Sequence, residues 1–307
     1  MPKFPRNFII LFAAAILFST VAFAQASPSQ TSITVTVTAL GPNNTPAPAI
    51  PQADITAYSG STRLNVTRWV RAQGSDANLQ LAILIDNDLR TSIVGQQLQD
   101  LSSFISSLPQ GTSVGVFYAE NGAATPAVQF TTDHAAAANS LRLTMGRSGG
   151  SPSIYLSLTD LVKRWPAADN TRREALVIAS GFDPLNPGVE DPYADQSVEA
   201  AEKSGVDIHT ILLPNPRYQA TFASNISEGK LIEATTGTGG QALFEGAFVP
   251  VSLSPYLNQL NAALSSQYLL TFTIDRTNKK DGELRPLRVQ TEDHNIKLYA
   301  PKQVLVP

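Results

Sequence analysis

The chain of 307 residues contains no cysteine. This absence excludes disulfide bonds, thiolate metal ligands, a cysteine nucleophile and anchoring through a lipidated cysteine. Charged residues are also scarce, at 15% of the chain, and their formal balance at pH 7 is −3. Because nucleic acids and anionic membranes are bound through basic patches, we expect neither as a partner. The few histidines, His134, His209 and His294, are dispersed along the sequence and predict no zinc site.

Residues 1–24 have the features of a secretory signal peptide. Lys3 and Arg6 precede an apolar run from Phe8 to Phe18, and Ala22-Phe23-Ala24 forms a small-residue cleavage signal. The run is shorter than the ~20 residues that span a bilayer, which disfavours a retained membrane anchor. We therefore predict cleavage before Gln25 and a secreted or periplasmic protein that is not inserted in a membrane.

Short β segments are predicted on both flanks of the chain. Thr31 to Leu40 alternates apolar residues with threonine, and Asp54 to Val70 has the pattern of a β-hairpin. Near the other end, the segments between Gln267 and Tyr299 have antiparallel character. Because such short pieces bury little surface alone, we expect an N-terminal β segment, residues 25–77, to pack with residues 249–307, which hold a helix and a C-terminal β segment.

Between the flanks, predicted strands alternate with predicted helices. Leu81 to Ile85, Ala175 to Ser180 and Val206 to Leu213 are apolar runs, which are typical of parallel strands covered on both faces. Alternation of this kind predicts an α/β fold with a doubly wound, mostly parallel sheet over residues 78–248. The small all-β domain of the flanks would pack beside it.

Three segments leave the carboxyl ends of central strands, where ligands of open α/β sheets bind. They are Asp86 to Arg90, the helix start at Gly149-Gly150-Ser151, and Ser180 to Asp183. Asp86 and Asp88 directly follow a buried strand and could attract a cation. The third segment continues into a long, acidic, proline-rich loop, Gly181 to Gln196, which we interpret as a candidate partner-binding loop.

The ordered set of these segments resembles the von Willebrand factor A domains, and within them the secreted bacterial branch called VWFA-related proteins, which is common in acidobacteria. The resemblance covers nearly the whole mature chain and rests on the segments LAILIDNDLR, GGSPSIYLSLTDL, ALVIASGFD, TTGTGGQALF and SQYLLTFTI. No one of them is specific, but their order is. The resemblance implies a Rossmann-like α/β fold and a non-catalytic module that binds other macromolecules outside the cytoplasm.

The metal-ion-dependent adhesion site of that family uses a D-x-S-x-S motif after the first strand. The resemblance places Asp86 at the aspartate, Asp88 at the first serine and Arg90 at the second serine. A guanidinium stays protonated and has no lone pair for a metal. We therefore hypothesise that Arg90 pairs with Asp86 or Asp88 and takes the place of the cation.

The remaining ligands of the family's site come from two later loops. The family's threonine corresponds to Ser151, and its third-loop aspartate corresponds to Ser180, with Asp183 three residues later. The resemblance thus implies a degenerate site and no cofactor, with Asp86, Asp88 and Ser151 left as ligands if a weak Mg²⁺ binds. We predict a partner-binding face lined by Asp86, Asp88, Arg90, Ser151, Ser180 and Asp183.

Two other functions are compatible with parts of the sequence. In a phosphatase of the haloacid dehalogenase type, Asp86 would attack phosphorus and Asp88 would act as acid and base. Against this, Leu89-Arg90 replaces the usual glycine-containing pair, and Pro214-Asn215-Pro216 stands where the late acidic, magnesium-binding motif belongs. The second alternative is a structural protein of envelope assembly that makes contacts through its β-domain edges. We expect a protein-binding or adhesion module, not an enzyme, whose partner is a protein.

Overall fold

The computed structural model describes most of the chain after residue 29. The described ranges are 30–146, 153–168, 170–186, 190–214, 222–245, 248–276 and 282–307. The predicted signal peptide and Ser151 lie outside them. Within these ranges, no helix combines the length and the apolar character that a membrane crossing requires.

The secondary-structure elements are numbered here in chain order. The strands are β1 (Gln30–Leu40), β2 (Ile55–Ser59), β3 (Thr62–Arg63), β4 (Asn65–Arg71), β5 (Leu79–Asp86), β6 (Ser113–Glu120), β7 (Ala123–Thr131), β8 (Arg172–Ala179), β9 (Val206–Leu212), β10 (Ala242–Glu245), β11 (Gln267–Asp275), β12 (Glu283–Pro286), β13 (Arg288–Thr291), β14 (Lys297–Tyr299) and β15 (Gln303–Val306). The α-helices are α1 (Thr91–Ser107), α2 (His134–Asn139), α3 (Ile154–Lys163), α4 (Pro192–Ser204), α5 (Phe222–Thr238) and α6 (Ser254–Ser265).

A mostly parallel sheet forms the centre of the molecule, in the order β10-β9-β8-β5-β6-β7. Strands β5 and β9 are buried along their whole length, and all but one residue of β8 is buried, as their apolar runs predict. Neighbouring strands are parallel except for β7, which pairs antiparallel with β6. The predicted α/β class with a doubly wound sheet is therefore confirmed.

Helices cover both faces of this sheet, because alternate residues of each strand point to opposite sides. Leu81, Ile83 and Ile85 join one core with the apolar faces of α1 and α6. Ala82 and Leu84 join a second core with α3, α4 and part of α5. Helix α6, which the sequence assigned to the flanking segment, thus packs on the central sheet.

The flanking strands form further antiparallel sheets around a third core. The largest has the order β14-β1-β11-β4, and β1 pairs with β11 from Gln30 opposite Asp275 to Thr38 opposite Gln267. Trp69 stacks on Tyr268 inside this core, with ring centroids 4.3 Å apart. The first and last parts of the described chain are therefore joined in one sheet.

The hairpin predicted between Asp54 and Val70 forms only in part. Strand β2 pairs with β3 around the predicted turn, with Tyr58 opposite Arg63, and the N–H of Leu64 donates to the Ala57 carbonyl at 2.8 Å. After Leu64, which is buried in the third core, β4 pairs with β11 in a different sheet. The second half of the predicted hairpin is therefore wrong in its pairing.

Candidate partner-binding face

Asp86 lies at the carboxyl end of β5, beside the end of β8, and is 4% exposed. Burial raises the pKa of its carboxyl to about 7. Hydrogen bonds from the backbone N–H groups of Asp88 (3.0 Å) and Ser180 oppose this rise in pKa, and the nearby charge of Asp88 adds to it. The two predicted loops do meet at this point, since Ser180 contacts Asp86.

Asn87 connects this site to a neighbouring cluster that the sequence did not indicate. Its Nδ2 donates to Glu120 Oε1 at 2.6 Å, and its Oδ1 accepts from the backbone N–H of Met145 at 2.9 Å. Arg142 also donates to Glu120 Oε1, at 2.6 Å, and its guanidinium lies 3.8 Å from the ring centroid of Tyr118. A cation therefore borders the site, but it comes from the loop after α2.

The hypothesis that Arg90 pairs with Asp86 or Asp88 is wrong. Arg90 is exposed, and in the described part of the chain its side chain forms no ion pair. Arg90 occupies the N-cap of α1, where its carbonyl accepts from the N–H groups of Ile93 (2.9 Å) and Val94 (3.2 Å). An N-cap residue has its backbone committed to the helix start, and here its side chain extends into solvent while both aspartates lie below the surface.

Ser180 and Asp183 are both buried. The Ser180 hydroxyl accepts from the N–H of Phe182 at 3.4 Å. Asp183 has both carboxylate oxygens in use, because Oδ2 accepts from the Ser153 hydroxyl at 2.5 Å and Oδ1 accepts from the N–H of Leu185 at 2.8 Å. Burial raises the pKa of Asp183. Since Ser153 is the N-cap of α3, Asp183 fastens the loop after β8 to the start of that helix.

Among the positions that the resemblance assigns to a metal site, Ser151 lies outside the described residues. Ser180 offers a hydroxyl where that site has a carboxylate, and the carboxylate of Asp183 is bound to Ser153 and Leu185. Arg90 has no electron pair to donate. Across the described residues, no group of three or more histidine, cysteine or acidic side chains is arranged to hold a metal ion.

The acidic loop from Gly181 to Gln196 is partly structural. Asp191 is fully buried and caps α4, accepting from the N–H groups of Tyr193 (3.0 Å) and Ala194 (3.1 Å). Helix α4 begins at Pro192, because proline suits the first helical position after such a cap. Of the loop's acids, Glu190 and Asp195 are exposed to solvent.

Several large apolar side chains are exposed in loops. Those most exposed in the described ranges are Leu143, Met145, Leu185, Phe248 and Val251. Leu143 and Met145 are held beside the end of β5, because the Thr144 hydroxyl donates to the Leu89 carbonyl at 2.8 Å. We call Arg90, Leu143, Met145, Leu185 and Glu190 the carboxyl-edge face.

Neither a protein-family model nor a curated protein sequence matches the chain. Among solved structures, an aerotolerance-related membrane protein from Bacteroides fragilis matches at 12% identity and a TM-score of 0.44, over 61% of this chain and 98% of that one. BatB from Bacteroides thetaiotaomicron matches at 14% identity and a TM-score of 0.44, over 60% and 98% of the respective chains. A von Willebrand factor type A protein from Catenulispora acidiphila matches at 10% identity and a TM-score of 0.40, over 91% and 75%.

The central sheet has the kind of fold that the sequence resemblance implies. The sheet has a doubly wound strand order with one antiparallel edge strand and helices on both faces. The region from β5 to β10 therefore has the doubly wound α/β architecture that the resemblance implies.

Proposed function

We propose that the protein is a non-catalytic, extracytoplasmic binding module that holds a protein partner on the carboxyl-edge face without a bound metal. The observation that carries this proposal is that Leu143, Met145 and Leu185 are about half exposed in loops whose backbone is hydrogen-bonded to Asn87 and Asp183. Clusters of exposed apolar side chains mark interaction surfaces, whereas single ones are common on any protein.

The loops of this face are held in place before a partner arrives. Met145 and Gly146 donate backbone N–H groups to the side-chain and main-chain oxygens of Asn87, at 2.9 and 3.1 Å. The N–H of Leu185 is fixed by Asp183. A surface that is already ordered loses little conformational entropy on binding, so these contacts favour affinity.

Arg90 and Glu190 place exposed charges of opposite sign on the same face. Charges at the rim of an interface mainly set the association rate and the choice of partner. Arg90 thus has a role in this proposal that differs from the metal replacement first expected of it. Its guanidinium is available to a carboxylate of the partner.

The same proposal includes two further statements: the protein is not an enzyme, and its partner binding does not depend on a metal. Phosphoryl transfer by the Asp86 and Asp88 pair would need magnesium and its acidic ligands. Arg90 and Ser180 stand at positions where the family's site has metal ligands, and these substitutions weaken a magnesium site. The raised pKa of Asp86 leaves its carboxyl partly protonated near neutral pH, so it attracts a cation less strongly.

The test is affinity capture of a partner from the envelope of the producing bacterium, with and without a chelator. Met145→Glu, Arg90→Glu and Glu190→Lys should each lower capture of the same partner at least about tenfold. Arg63→Glu, an exposed change on β3, is the matched control and should leave capture unchanged.

Each part of the proposal has its own contrary outcome. Undiminished capture by all three variants would place the interaction elsewhere. Release of the partner by the chelator would contradict metal independence alone. Hydrolysis of a phosphate monoester that is lost in Asp86→Asn would contradict the absence of catalysis.

A further inference from the structure

Strand β1 has an open edge. It pairs with β11 from Gln30 to Thr38, but on its other side β14 pairs only with Thr38, Ala39 and Leu40. Across the described residues, no strand is hydrogen-bonded to that side of β1 between Gln30 and Val37. Backbone N–H and C=O groups along such an edge are free to pair with another strand.

The edge is open because the chain turns away from β1 immediately after β14. Pro301 lacks the N–H that a continued ladder would use. The N–H of Lys302 instead donates to the Gly237 carbonyl at 2.7 Å, at the end of α5. A side chain on Gly239 would lie 2.8 Å from the nitrogen of Pro301. These contacts hold residues 300–302 against α5, and β15 then pairs with β12.

A cavity of about 450 Å³ lies along this open edge. Its walls are Ser32 to Thr36 of β1, the neighbouring sheet face at Leu269 of β11 and Arg68 of β4, the β15 segment from Gln303 to Leu305, and the amino-end side of the central sheet with the last turn of α4. Five residues of strand span roughly 17 Å, so the opening suits a short extended segment. The edge is recessed between β15 and α4, and a narrow peptide fits there better than the sheet of a second copy.

The cavity is lined by more cations than acids. The charged residues in its walls are Arg68, Arg172, Arg173, Lys203, Glu202 and Asp207. Burial raises the pKa of Glu202 to about 7 and raises the pKa of Asp207 well above its usual range. Among the wall cations, Arg68 pairs with Asp76 and Lys203 pairs with Glu199, whereas Arg173 has no carboxylate partner in the described part of the chain.

One of the arginines leaves donor groups for a ligand. Arg173 donates to the Ser204 carbonyl at 3.1 Å and has no carboxylate partner in the described part of the chain. Arg172 is 6% exposed, and its terminal nitrogens already donate to the carbonyl oxygens of Leu264 and Ala77 and to the Gln267 side chain. Carboxylates are the groups that arginine forks bind best.

We propose that this cavity binds an extended, acidic peptide segment of another protein, which adds as a strand to the open edge of β1. Main-chain hydrogen bonds to Ser32 through Thr36 supply the pairing, as in other cases of strand addition. The added strand takes the position that β14 would have filled beyond Tyr299. Arg173 at the wall selects for carboxylate side chains on the peptide.

The test uses the purified protein and a labelled, acetylated hexapeptide that alternates valine with aspartate. Saturating peptide should slow amide hydrogen exchange of the β1 segment at least about fivefold. Arg173→Glu should weaken binding at least tenfold, and a valine–lysine hexapeptide should bind at least tenfold more weakly than the aspartate form. Arg90→Glu is the matched control and should leave binding of this peptide unchanged.

A second peptide separates strand addition from simple charge attraction. N-methylation of alternate residues removes the backbone donors and should abolish binding. Equal binding of the methylated peptide, an unaffected Arg173→Glu variant, or no binding at millimolar peptide would each overturn the proposal. Slowed exchange of β1 that appears on raising the protein concentration without peptide would assign the edge to a second copy and also overturn it.

Discussion

Among the single residues, Asp86 gives the stability of the fold a dependence on pH. The pKa of its carboxyl is about 7 in the folded protein and 3.8 ordinarily. The folded state binds a proton that the unfolded state releases, so the stabilising contribution is complete below pH 3.8 and is lost as pH rises to about 7. The Asp86→Asn variant has no such group to titrate and should not lose this contribution. Between pH 3 and pH 8, its unfolding free energy relative to that of the unchanged protein should therefore rise by roughly 4 kcal/mol.

Urea unfolding of both proteins at several pH values measures this gain. Glu190→Gln, at an exposed position, is the control and should follow the unchanged protein at every pH. A difference between Asp86→Asn and the unchanged protein that stays constant across this range would contradict the assigned cause.

Glu174 is a second residue whose burial has consequences for stability. It is fully buried and accepts from Gln267 Nε2 at 2.7 Å, and it contacts His209 Nε2 at 2.9 Å. The N–H of Gln241 donates to His209 Nδ1 at 3.2 Å, so the proton of a neutral imidazole is on Nε2 and faces Glu174. Charge from Glu174 also stabilises the buried Arg172 guanidinium.

Glu174→Ala should destabilise the fold by about 3–5 kcal/mol, because it leaves buried polar groups without their counterpart. Chemical denaturation measures the loss. Glu199→Ala removes an exposed pairing with Lys203 and should cost less than about 1 kcal/mol. Similar losses in the two variants would show that the buried network contributes little.

Among the elements, the start of β10 depends on one glycine. A Cβ on Gly240 would lie 1.9 Å from the Ile208 carbonyl oxygen, which belongs to the backbone of β9 and cannot rotate away. Gly240→Ala should therefore separate β10 from β9 and lower the midpoint of thermal unfolding by several degrees or more. The measurement is a thermal melt followed by circular dichroism.

Gly229→Ala is the matched control for this change. Gly229 lies on the exposed side of α5, and a Cβ there would meet nothing within 4 Å. Alanine is favoured over glycine inside a helix by about 0.5–1 kcal/mol, so this variant should be slightly stabilised. A melt in which both variants behave alike would contradict the proposed clash.

Elements whose signals are local could be predicted from the sequence, and those set by distant contacts could not. The apolar runs of β5, β8 and β9 identified the central strands. Asn121 and Gly122, both at positive φ, form the tight turn that joins β6 to β7. That dipeptide is a local signal for a hairpin, which the sequence analysis did not use.

In the candidate site too, contacts that follow from local signals could be predicted, and contacts set by distant parts of the chain could not. The order of loops at strand ends brought Ser180 beside Asp86, because parallel strands end at one edge of the sheet. The contact of Asn87 with Met145 depends on the path of a loop without regular structure, and no sequence pattern indicated it. Arg90 was assigned a partner from its spacing alone, which does not fix the direction of a side chain at a helix start.

For the whole molecule, the flanking strands and α6 should stabilise the central domain. A fragment of residues 78–248 loses α6, whose leucines fill one core, and loses the Gln267 side chain beside Glu174. A fragment of residues 72–266 keeps α6 but still lacks Gln267. Urea unfolding should give the highest free energy of unfolding for the full chain, a lower one for 72–266 and the lowest for 78–248. The full chain and 78–248 should differ by several kcal/mol.

The full chain should also unfold in one transition, because the third core and the central domain share buried contacts. A full-chain curve with two separate transitions, or a 78–248 fragment as stable as the whole, would show that the flanks fold independently. Comparing fluorescence of Trp69, in the third core, with that of Trp165, in the second, follows the two regions separately.

The pairing of β1 with β11 determines when folding can finish during synthesis. Thr34 and Thr271, whose hydroxyls are hydrogen-bonded across these strands, are 237 residues apart in sequence. Strand β1 leaves the ribosome early and must wait, unpaired, until β11 has followed. During that interval its alternating threonine and valine pattern is a hazard for aggregation, and chaperones that shield extended segments should bind the nascent chain there first.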